Sequence, residues 1–472
     1  MIINIPKNFG FFHFVGIGGI GMSGIAEILV KSGYDVQGSD VSSSKIIDRL
    51  ISLGIKIHIG HDKNNIRNAS IVVYSSAIKQ NNPEIIEAKK LFIPIIHRSE
   101  MLSELMKLKK SIAIAGTHGK TTTTSLISKI LDTNKMDPTI INGGIISSLA
   151  SNAKLGQGEW MVVEADESDG SFAKLMPTIA VITNIDLEHL DFHKNEKNLE
   201  NAFINFISSI PFYGFCSVCI DHPRVQKIFS NLKNRKIITY GFSPNADVRA
   251  ENIIVKNQKM NFDITYKNKI SNKRHTISNI SFSMLGLHNI QNALASISIA
   301  LELNISPNII KLALRNFNGV QRRFQLINTF KNVKIIDDYG HHPEEIKAAL
   351  SATKLIGNKS KVLAVFQPHR YSRLKNHFNE FCSCFNDADE VVLLNVYAAG
   401  EKQIANCNNV DLENGIRNYG HKNVSSIIND EDIYRVIYKK ISKYQIIIFL
   451  GAGNITKIAN NLKNELEVLR KK

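Results

Sequence analysis

The sequence predicts an α/β protein of three units, each built on a sheet with helices crossing over between its strands. Three observations carry this expectation. Apolar runs of strand length alternate with segments of helical periodicity through most of the chain, the pattern that βαβ units leave in a sequence. A chain of 472 residues is too long for one hydrophobic core, and ordinary domain sizes divide it about three ways. Two glycine-rich loops, "VGIGGIGMSG" (Val15 to Gly24) and "AGTHGKTTTT" (Ala115 to Thr124), each lie between a strand and a helix.

The first unit, residues 1–100, takes its strands from "FFHFV", "YDVQGSD", "SIVVYSSAI" and "FIPIIHRSE". The second, 101–317, begins with "SIAIAG" and continues through "EWMVVEAD" and "PTIAVITNID". Between Asp247 and Met284 the alternation changes to polar strands, "VRAENIIV", "MNFDITY" and "HTISNISFSM", which predict a small antiparallel meander. The amphipathic segments "NIQNALASISIALEL" and "NIIKLALRNF" follow. The third unit, 318–472, has "VKIIDDYG", "KVLAVFQP", "EVVLLNVY" and "QIIIFLGAG" as its strands.

Composition excludes several classes. The apolar fraction of 43% and charged fraction of 21% are those of a soluble globular protein. The net charge is +16, but the lysines are scattered rather than gathered in a block or stripe. Anionic small molecules therefore suit the charge better than nucleic acid, which is not expected as a partner. No segment approaches the ~20 apolar residues of a membrane span, so no membrane insertion is expected. The first residues lack the basic region and cleavage site of a secretion signal. Five cysteines do not make a disulfide framework, and Cys216 and Cys219, in the apolar strand "GFCSVCI", read as structural thiols. A reducing, cytoplasmic location follows, with a monomer or weak homo-oligomer as the expected state.

In the first loop, Gly16, Gly18 and Gly21 satisfy G-x-G-x-x-G, with Gly19 among them, and Asp40 ends the following strand. Such glycines let backbone approach a pyrophosphate at a helix N-terminus, and the acid can hold a ribose. NAD and a UDP-sugar both offer that chemistry, and the residues alone do not choose between them. A glycine turn that only packs helix on strand is the bland alternative.

The second loop reads G-x-x-G-K-T, two residues shorter than the common phosphate loop. Gly116, Thr117, His118, Gly119, Lys120, Thr121 and Thr122 form it. Its amides and helix start can cradle phosphate, Lys120 can reach β/γ oxygens, and the Thr121 hydroxyl can ligate magnesium. A triphosphate site also needs a hard carboxylate at the end of a neighbouring strand. "MVVEADESDGSF" supplies Glu164 there, with Asp166, Glu167 and Asp169 behind it. A solvated acidic loop is the alternative. "VITNIDLEHLDFH" presents His189 nearby, and a lone histidine is more often structural than a ligand.

These motifs, with "LGLHNIQNALA", "VQRRFQ", "DDYGHHP", "FQPHRYSR" and "GAGNI", stand in the order and spacing of the Mur ligases. The resemblance runs from about Val15 to Ile455. It is closest to the branch that adds L-alanine to UDP-N-acetylmuramate, whose near relative recycles whole murein peptides. It implies Rossmann-like N- and C-terminal domains flanking a central P-loop ATPase domain. The Gly16 loop would then hold the UDP of the sugar substrate, and the Gly116 loop would hold ATP.

The resemblance implies residue roles too. Lys120 would bind the β/γ phosphates, with Thr121, Glu164 and His189 holding Mg2+. Asn289 and Asn292 would face the adenine, where N-capping and packing are an equally compatible reading of the residues alone. Arg323 would reach the γ-phosphate, and Asp338 and His342 the ATP ribose. Tyr339, His341, Arg370 and Arg373 would surround alanine and the acyl group, where the planar arginine fork suits a carboxylate. A solvated helix start is the alternative for "HRYSR". On the UDP side Asp40, His61 and Ser76 are candidates, and Gly451 and Gly453 are expected to shape the third unit. A reading from another class, an NAD-dependent enzyme or nucleotide sensor, leaves Arg370, Arg373, His341 and His342 without a purpose.

Overall fold

The computed structural model describes residue 6 and residues 9–147, 149–188, 190–230, 232, 234–267, 273–357 and 360–471. Its strands form three sheets. In the first, β1 (Phe11–Val15), β2 (Val36–Asp40), β3 (Lys56–Ile59), β4 (Ala69–Tyr74) and β5 (Ile95–His97) lie in the order β3-β2-β1-β4-β5. Every pair is parallel. The chain leaves β1 toward one side of the sheet and returns to its other side at β4. The crevice beyond the carboxyl end of β1 is therefore the switch point where α/β sheets take ligands, and the first glycine loop sits there.

The second sheet contains β6 (Lys110–Ala115), β7 (Thr139–Ile146), β8 (Ser151–Lys154), β9 (Trp160–Glu164), β10 (Ile179–Ile182), β11 (Phe215–Cys219), β12 (Ile237–Gly241), β13 (Val248–Lys256), β14 (Lys259–Lys267) and β15 (Arg274–Phe282). Their order is β15-β14-β13-β12-β11-β10-β6-β9-β7-β8. The inner strands β9, β6, β10, β11 and β12 pair in parallel and are buried almost throughout, as strands covered on both faces must be. The expected antiparallel meander is present, but it continues this sheet: β13 pairs parallel with β12. Asn257 and Gln258 join β13 to β14 with φ of 53° and 57°, the left-handed pair of a tight hairpin. The hairpin β7–β8 on the other edge was not expected from the sequence, because Gly143 and Gly144 break its apolar run.

The third sheet orders β16 (Gln325–Phe330), β17 (Val333–Asp338), β18 (Val362–Phe366), β19 (Glu390–Leu393), β20 (Val424–Ser426) and β21 (Ile446–Leu450) as β16-β17-β21-β18-β19-β20. It is parallel except at its edge, where β16 runs antiparallel to β17 and makes the sheet mixed. Apolar clusters cover both faces, one around Phe366, Phe381 and Phe385 and one around Phe449, Leu462 and Leu466.

The chain divides into two compact units. One carries the first two sheets, through Ile253 and with Phe262–Ser281 and Gln291–Asn318; the other carries the third sheet, from Gly319 on, with Ile254–Asn261 and Phe282–Ile290. No helix among the described residues is long and apolar enough to cross a membrane. All five cysteines are buried as free thiols, and burial pushes the Cys219 thiol up to about 12, so it stays protonated and inert.

Candidate functional site

The first loop is set by the end of β2. Ser39 O accepts the N–H groups of Gly16 and Ile17 at 2.8 and 3.0 Å, and Asp40 Oδ2 accepts that of Gly18 at 2.8 Å. One oxygen of Asp40 thus shapes the loop itself. Gly19 is the N-cap of the helix Ile20–Lys31, and Gly21 lies in its first turn, where a Cβ would come within 2.9 Å of the Arg98 guanidinium. His61 stands beside the same strand end, with Nδ1 3.0 Å from Ser39 Oγ. Ser76 turns elsewhere: its hydroxyl is 3.0 Å from His97 Nε2 and donates to Asp169, on the acidic loop after β9. Arg98 meets Asp166 of that loop at 3.2 Å.

The second loop follows β6 and is splinted by the end of β10. Asn184 O accepts Thr117 N–H at 3.1 Å, Asn184 Oδ1 accepts His118 N–H at 2.7 Å, and Thr183 Oγ1 donates to His118 O at 2.6 Å. Gly116 and Gly119 have φ of 133° and 81°, and a Cβ on either would collide, with Thr183 and Asn292 respectively. Only glycine fits such a turn. Lys120 opens the helix Lys120–Thr133, in whose first turn Thr121 and Thr122 are buried. Asn292 accepts from Thr123 Oγ1 at 3.3 Å, so it packs behind the loop, while Asn289 on the same helix donates to Leu285 O at 2.7 Å.

The Lys120 ammonium donates to Gly116 O at 2.6 Å, Thr117 O at 2.9 Å and Glu167 Oε1 at 2.9 Å. Desolvation works against its charge, but Glu167 and Glu164 outweigh it and keep the ammonium above its usual value. Burial pushes Glu167 up, to about 7, against the pull of Lys120. Glu164, at the end of β9, accepts Gly143 N–H through Oε2 at 2.9 Å. A glycine cradle at a helix N-terminus, a hydroxyl and carboxylates form a hard, oxygen-only donor set, which fits a magnesium nucleotide. His189 lies outside the described residues.

Sequence reasoning missed three members of this site: Glu167 as the partner of Lys120, Asn184 as the splint, and Asp186. Asp186 N–H donates to Thr117 Oγ1 at 2.8 Å, and its carboxylate lies 3.3 Å from His118 Nε2 and 3.2 Å from His222 Nε2. Despite burial, those two imidazoles hold Asp186 well below the usual carboxylate range. The signal was available in "TNID", polar residues directly after a buried strand.

In the other unit, the carboxyl ends of β17 and β18 bring Tyr339, His341, His369 and Arg373 together. The His341 ring lies 5.2 Å from that of Tyr339 and 6.0 Å from that of His369, and Arg373 reaches His369 Nδ1 at 3.3 Å. His369, which sequence reasoning passed over, stacks on Tyr397 at 5.4 Å. The Arg322 and Arg323 guanidiniums lie 4.7 and 5.2 Å from the Tyr339 ring centre, a cation–π pair. Arg370 N–H donates to Tyr397 O at 2.9 Å with φ of 69°, a left-handed conformation that costs a non-glycine residue energy and is tolerated where the surroundings impose it. Asp338 and His342 have structural duties: Asp338 accepts the N–H groups of Phe324 and Gly340, each at 2.7 Å, and His342 is the N-cap of the helix Pro343–Lys354. Gly451 O accepts from Arg322 at 2.6 Å, so this glycine turn shapes the unit.

Burial, with Arg373 and His369 nearby, pushes His341 down to about 3 even though Glu345 lies 3.5 Å away. Burial and both arginines of "HRYSR" push His369 down to about 4. The pocket therefore pairs arginine cations with neutral imidazoles, an environment for carboxylates. The pH dependence follows. In the unfolded chain His341 takes up a proton near 6.5, whereas the fold keeps it neutral to about 3. Its contribution to stability is complete above 6.5 and is lost as pH falls toward 3. Asp338, pushed up to about 6 by burial, acts in the opposite sense, so the test is a difference. The melting temperature of the wild type should fall relative to that of His341→Gln between pH 7 and pH 4; parallel curves would show that the imidazole takes up its proton in the fold as readily as in the unfolded chain.

Three family models match the chain in succession: "Mur ligase family, catalytic domain" over residues 11–110, "Mur ligase middle domain" over 114–300, and "Mur ligase, glutamate ligase domain" over 322–453. The UDP-N-acetylmuramate–L-alanine ligase of Rhodospirillum centenum is 48% identical over 465 residues, covering 98% of this chain and 96% of its own. The protein of that name from Rhodospirillum rubrum is 49% identical over 466 residues, covering 99% and 97%. Among solved structures, the UDP-N-acetylmuramate–alanine ligase of Thermotoga maritima superposes with a TM-score of 0.82 at 28% identity, over 98% of this chain and all of its own. A murein peptide ligase from Psychrobacter arcticus shares the fold at a TM-score of 0.71 and 22% identity, over 97% and 98%.

Proposed function

The chain belongs to the Mur ligase family, and we propose that it joins L-alanine to the lactyl carboxylate of UDP-N-acetylmuramate with conversion of ATP to ADP and phosphate, the first stem-peptide step of peptidoglycan synthesis. The observation that carries this reading is the end-to-end likeness to alanine-adding relatives, 48% and 49% identical over 98% and 99% of this chain.

A carboxylate and an amine do not condense in water, because hydroxide leaves poorly. Phosphorylation replaces that leaving group. The lactyl carboxylate attacks the γ-phosphorus and ADP departs; alanine's free amine then attacks the carbonyl carbon of the acyl phosphate, phosphate leaves and the amine gives up a proton. Two anions meet in the first step, so the chain's part is to clamp charge and fix orientation. Lys120 would hold the β/γ phosphates, with the amides of Gly116 to Thr122 around them. Thr121 and Glu164, together with His189 on the strength of its motif, would hold magnesium, which when bound screens the phosphate from the incoming carboxylate. Arg323 would steady the γ-phosphate, with Asn289, Asn292, Asp338 and His342 toward the adenosine. Tyr339, His341, Arg370 and Arg373 would receive alanine and the acyl group. The Gly16 loop, Asp40 and His61 would serve the UDP-sugar, and Ser76 would join them only by giving up its bond to Asp169. Five free thiols support a reducing, cytoplasmic setting.

The test is an ADP-release assay with UDP-N-acetylmuramate, ATP and magnesium. Release should require both the sugar nucleotide and L-alanine, and a stem tripeptide in place of alanine should give none. Equal phosphate release without the sugar nucleotide would overturn the ligase reading, and turnover with the tripeptide alone would reassign the protein as a peptide-recycling ligase. In parallel, UDP-N-acetylmuramate should raise the melting temperature and NAD should not.

A further inference from the structure

Beneath His61 lies a buried polar network centred on Glu84, a residue no step above uses. Glu84 is in the first turn of the helix Pro83–Lys90 and is fully buried. Its carboxylate meets Ser39 Oγ at 2.6 Å, Asn65 Nδ2 at 2.7 Å, His13 Nε2 at 3.2 Å and the N–H of Asp62 at 3.3 Å, and it lies 3.6 Å from His61 Nδ1, beyond a direct hydrogen bond. Burial works against its charge, but the hydrogen bonds from His13, Ser39 and Asn65 outweigh it, so Glu84 is held below the usual carboxylate range and is ionised at neutral pH.

An ionised carboxylate has no proton and can only accept, and this fixes every proton around it. The single Ser39 hydroxyl proton goes to Glu84. Toward His61, Ser39 Oγ can then only accept, so His61 Nδ1, 3.0 Å away, must carry the hydrogen. In the neutral imidazole this leaves a lone pair on His61 Nε2. The same logic holds on the other side, where Gln37 Nε2 donates to His13 Nδ1 at 3.4 Å and His13 donates onward from Nε2.

We propose that Glu84, acting through Ser39, is a positioning residue that locks His61 in the Nδ1–H tautomer, so that His61 Nε2 accepts a hydrogen bond from a donor on the uridine, an imide N–H or a ribose hydroxyl, and not from the proton-less pyrophosphate. The inference rests on the reading that places His61 at the UDP-sugar site. The Ser39 carbonyl also accepts from Gly16 and Ile17, so one strand end would set both the diphosphate amides and the uridine acceptor.

The test labels the histidines with 15N and reads the tautomer of His61 from long-range proton–nitrogen correlations, assigned by difference with His61→Ala. The wild type should show Nδ1–H. In Glu84→Gln the new amide can donate to Ser39, whose proton then turns to His61, and the Nε2–H form should appear. Calorimetry should find binding of UDP-N-acetylmuramate weakened roughly tenfold in His61→Ala and in Glu84→Gln, the loss expected for one neutral hydrogen bond. Ser39→Ala, a smaller change, serves if Glu84→Gln does not fold, and should also weaken binding, with the tautomer released only in part, because Glu84 Oε2 lies 3.6 Å from His61 Nδ1. N3-methyl-UDP and 2′-deoxy-UDP, titrated in turn, show which uridine donor is read: the one that has lost its donor should bind wild type and His61→Ala alike. An Nε2–H tautomer in the wild type, or weaker binding in Glu84→Gln without a change of tautomer, overturns the proposal. Unchanged affinity in His61→Ala instead overturns the placement of His61 at the sugar site.

Discussion

Lys120→Ala should lower turnover by about 10³-fold or more, the scale of losing a cation that meets charge developing at a transferring phosphoryl group. Binding of UDP-N-acetylmuramate should stay within roughly threefold of wild type, because changes at separate sites without shared partners are close to independent. Lys120 follows β6 in the second sheet, whereas the loop proposed for the sugar nucleotide follows β1 in the first. The ammonium's partners, Gly116 O, Thr117 O and Glu167, all belong to the second sheet's loops. Removing the cation leaves the Glu167 carboxyl buried without it. Burial already pushes that group up to about 7, so in the variant it should take a proton near neutrality and the fold should survive. The same argument sets a sign: without the ammonium the folded carboxyl is pushed higher still and holds its proton at the top of the range, where the wild type, at about 7, does not, while the unfolded chain holds none above about 4.5, so Lys120→Ala should gain stability relative to wild type as pH falls from 8 to 6. Steady-state kinetics, calorimetry with the sugar nucleotide and melting curves check the three parts. A loss of sugar affinity as large as the loss of turnover would mean that the two loops do not serve two separate ligands.

Much of this was legible because the information is local. A G-x-G-x-x-G or G-x-x-G-K-T turn needs a few residues in sequence, and both loops lie at strand ends as their spacing requires. The most deeply buried strands were readable for the same reason, as apolar runs. Strands without a clean apolar run were not, whether at an edge, as β16 "QLINTF", or inside a sheet, as β12 "IITYG" and β7 with its glycine pair. Side-chain direction was the harder loss. "EADESDG" offers several carboxylates, and nothing in their spacing says that Glu167 meets Lys120, Glu164 meets Gly143, and Asp166 and Asp169 turn to Arg98 and Ser76. Those choices depend on strands that meet only in the folded sheet. Glu84 is the extreme case: in sequence it follows a proline at a helix start, and only the fold shows Ser39, Asn65 and His13 converging on it.

Glu164→Gln should cost about 10²–10³-fold in magnesium-dependent turnover, the scale of losing a negatively charged ligand at a phosphoryl-transfer site. The geometry makes this substitution a clean one. Glu164 ends β9 in register with Ile114 of β6, and one of its oxygens is committed to Gly143 N–H at 2.9 Å. The amide oxygen of glutamine can keep that bond, so the strand end and the close approach at Gly143, where a Cβ would collide with the carboxyl, are preserved. What changes is the second position, where an anionic oxygen becomes an N–H donor that cannot ligate a cation. The melting temperature without nucleotide should therefore barely move, while the ability of magnesium to tighten ATP binding should largely disappear and excess magnesium should restore little activity. Calorimetry of ATP with and without magnesium, beside turnover across a magnesium series, separates these effects. Aspartate at this position should fall between wild type and glutamine, since it keeps the charge but withdraws the oxygen by one methylene. If Glu164→Gln turns over like wild type at limiting magnesium, the carboxylate's duty is to hold Gly143, and the metal must be held by other residues of the acidic loop.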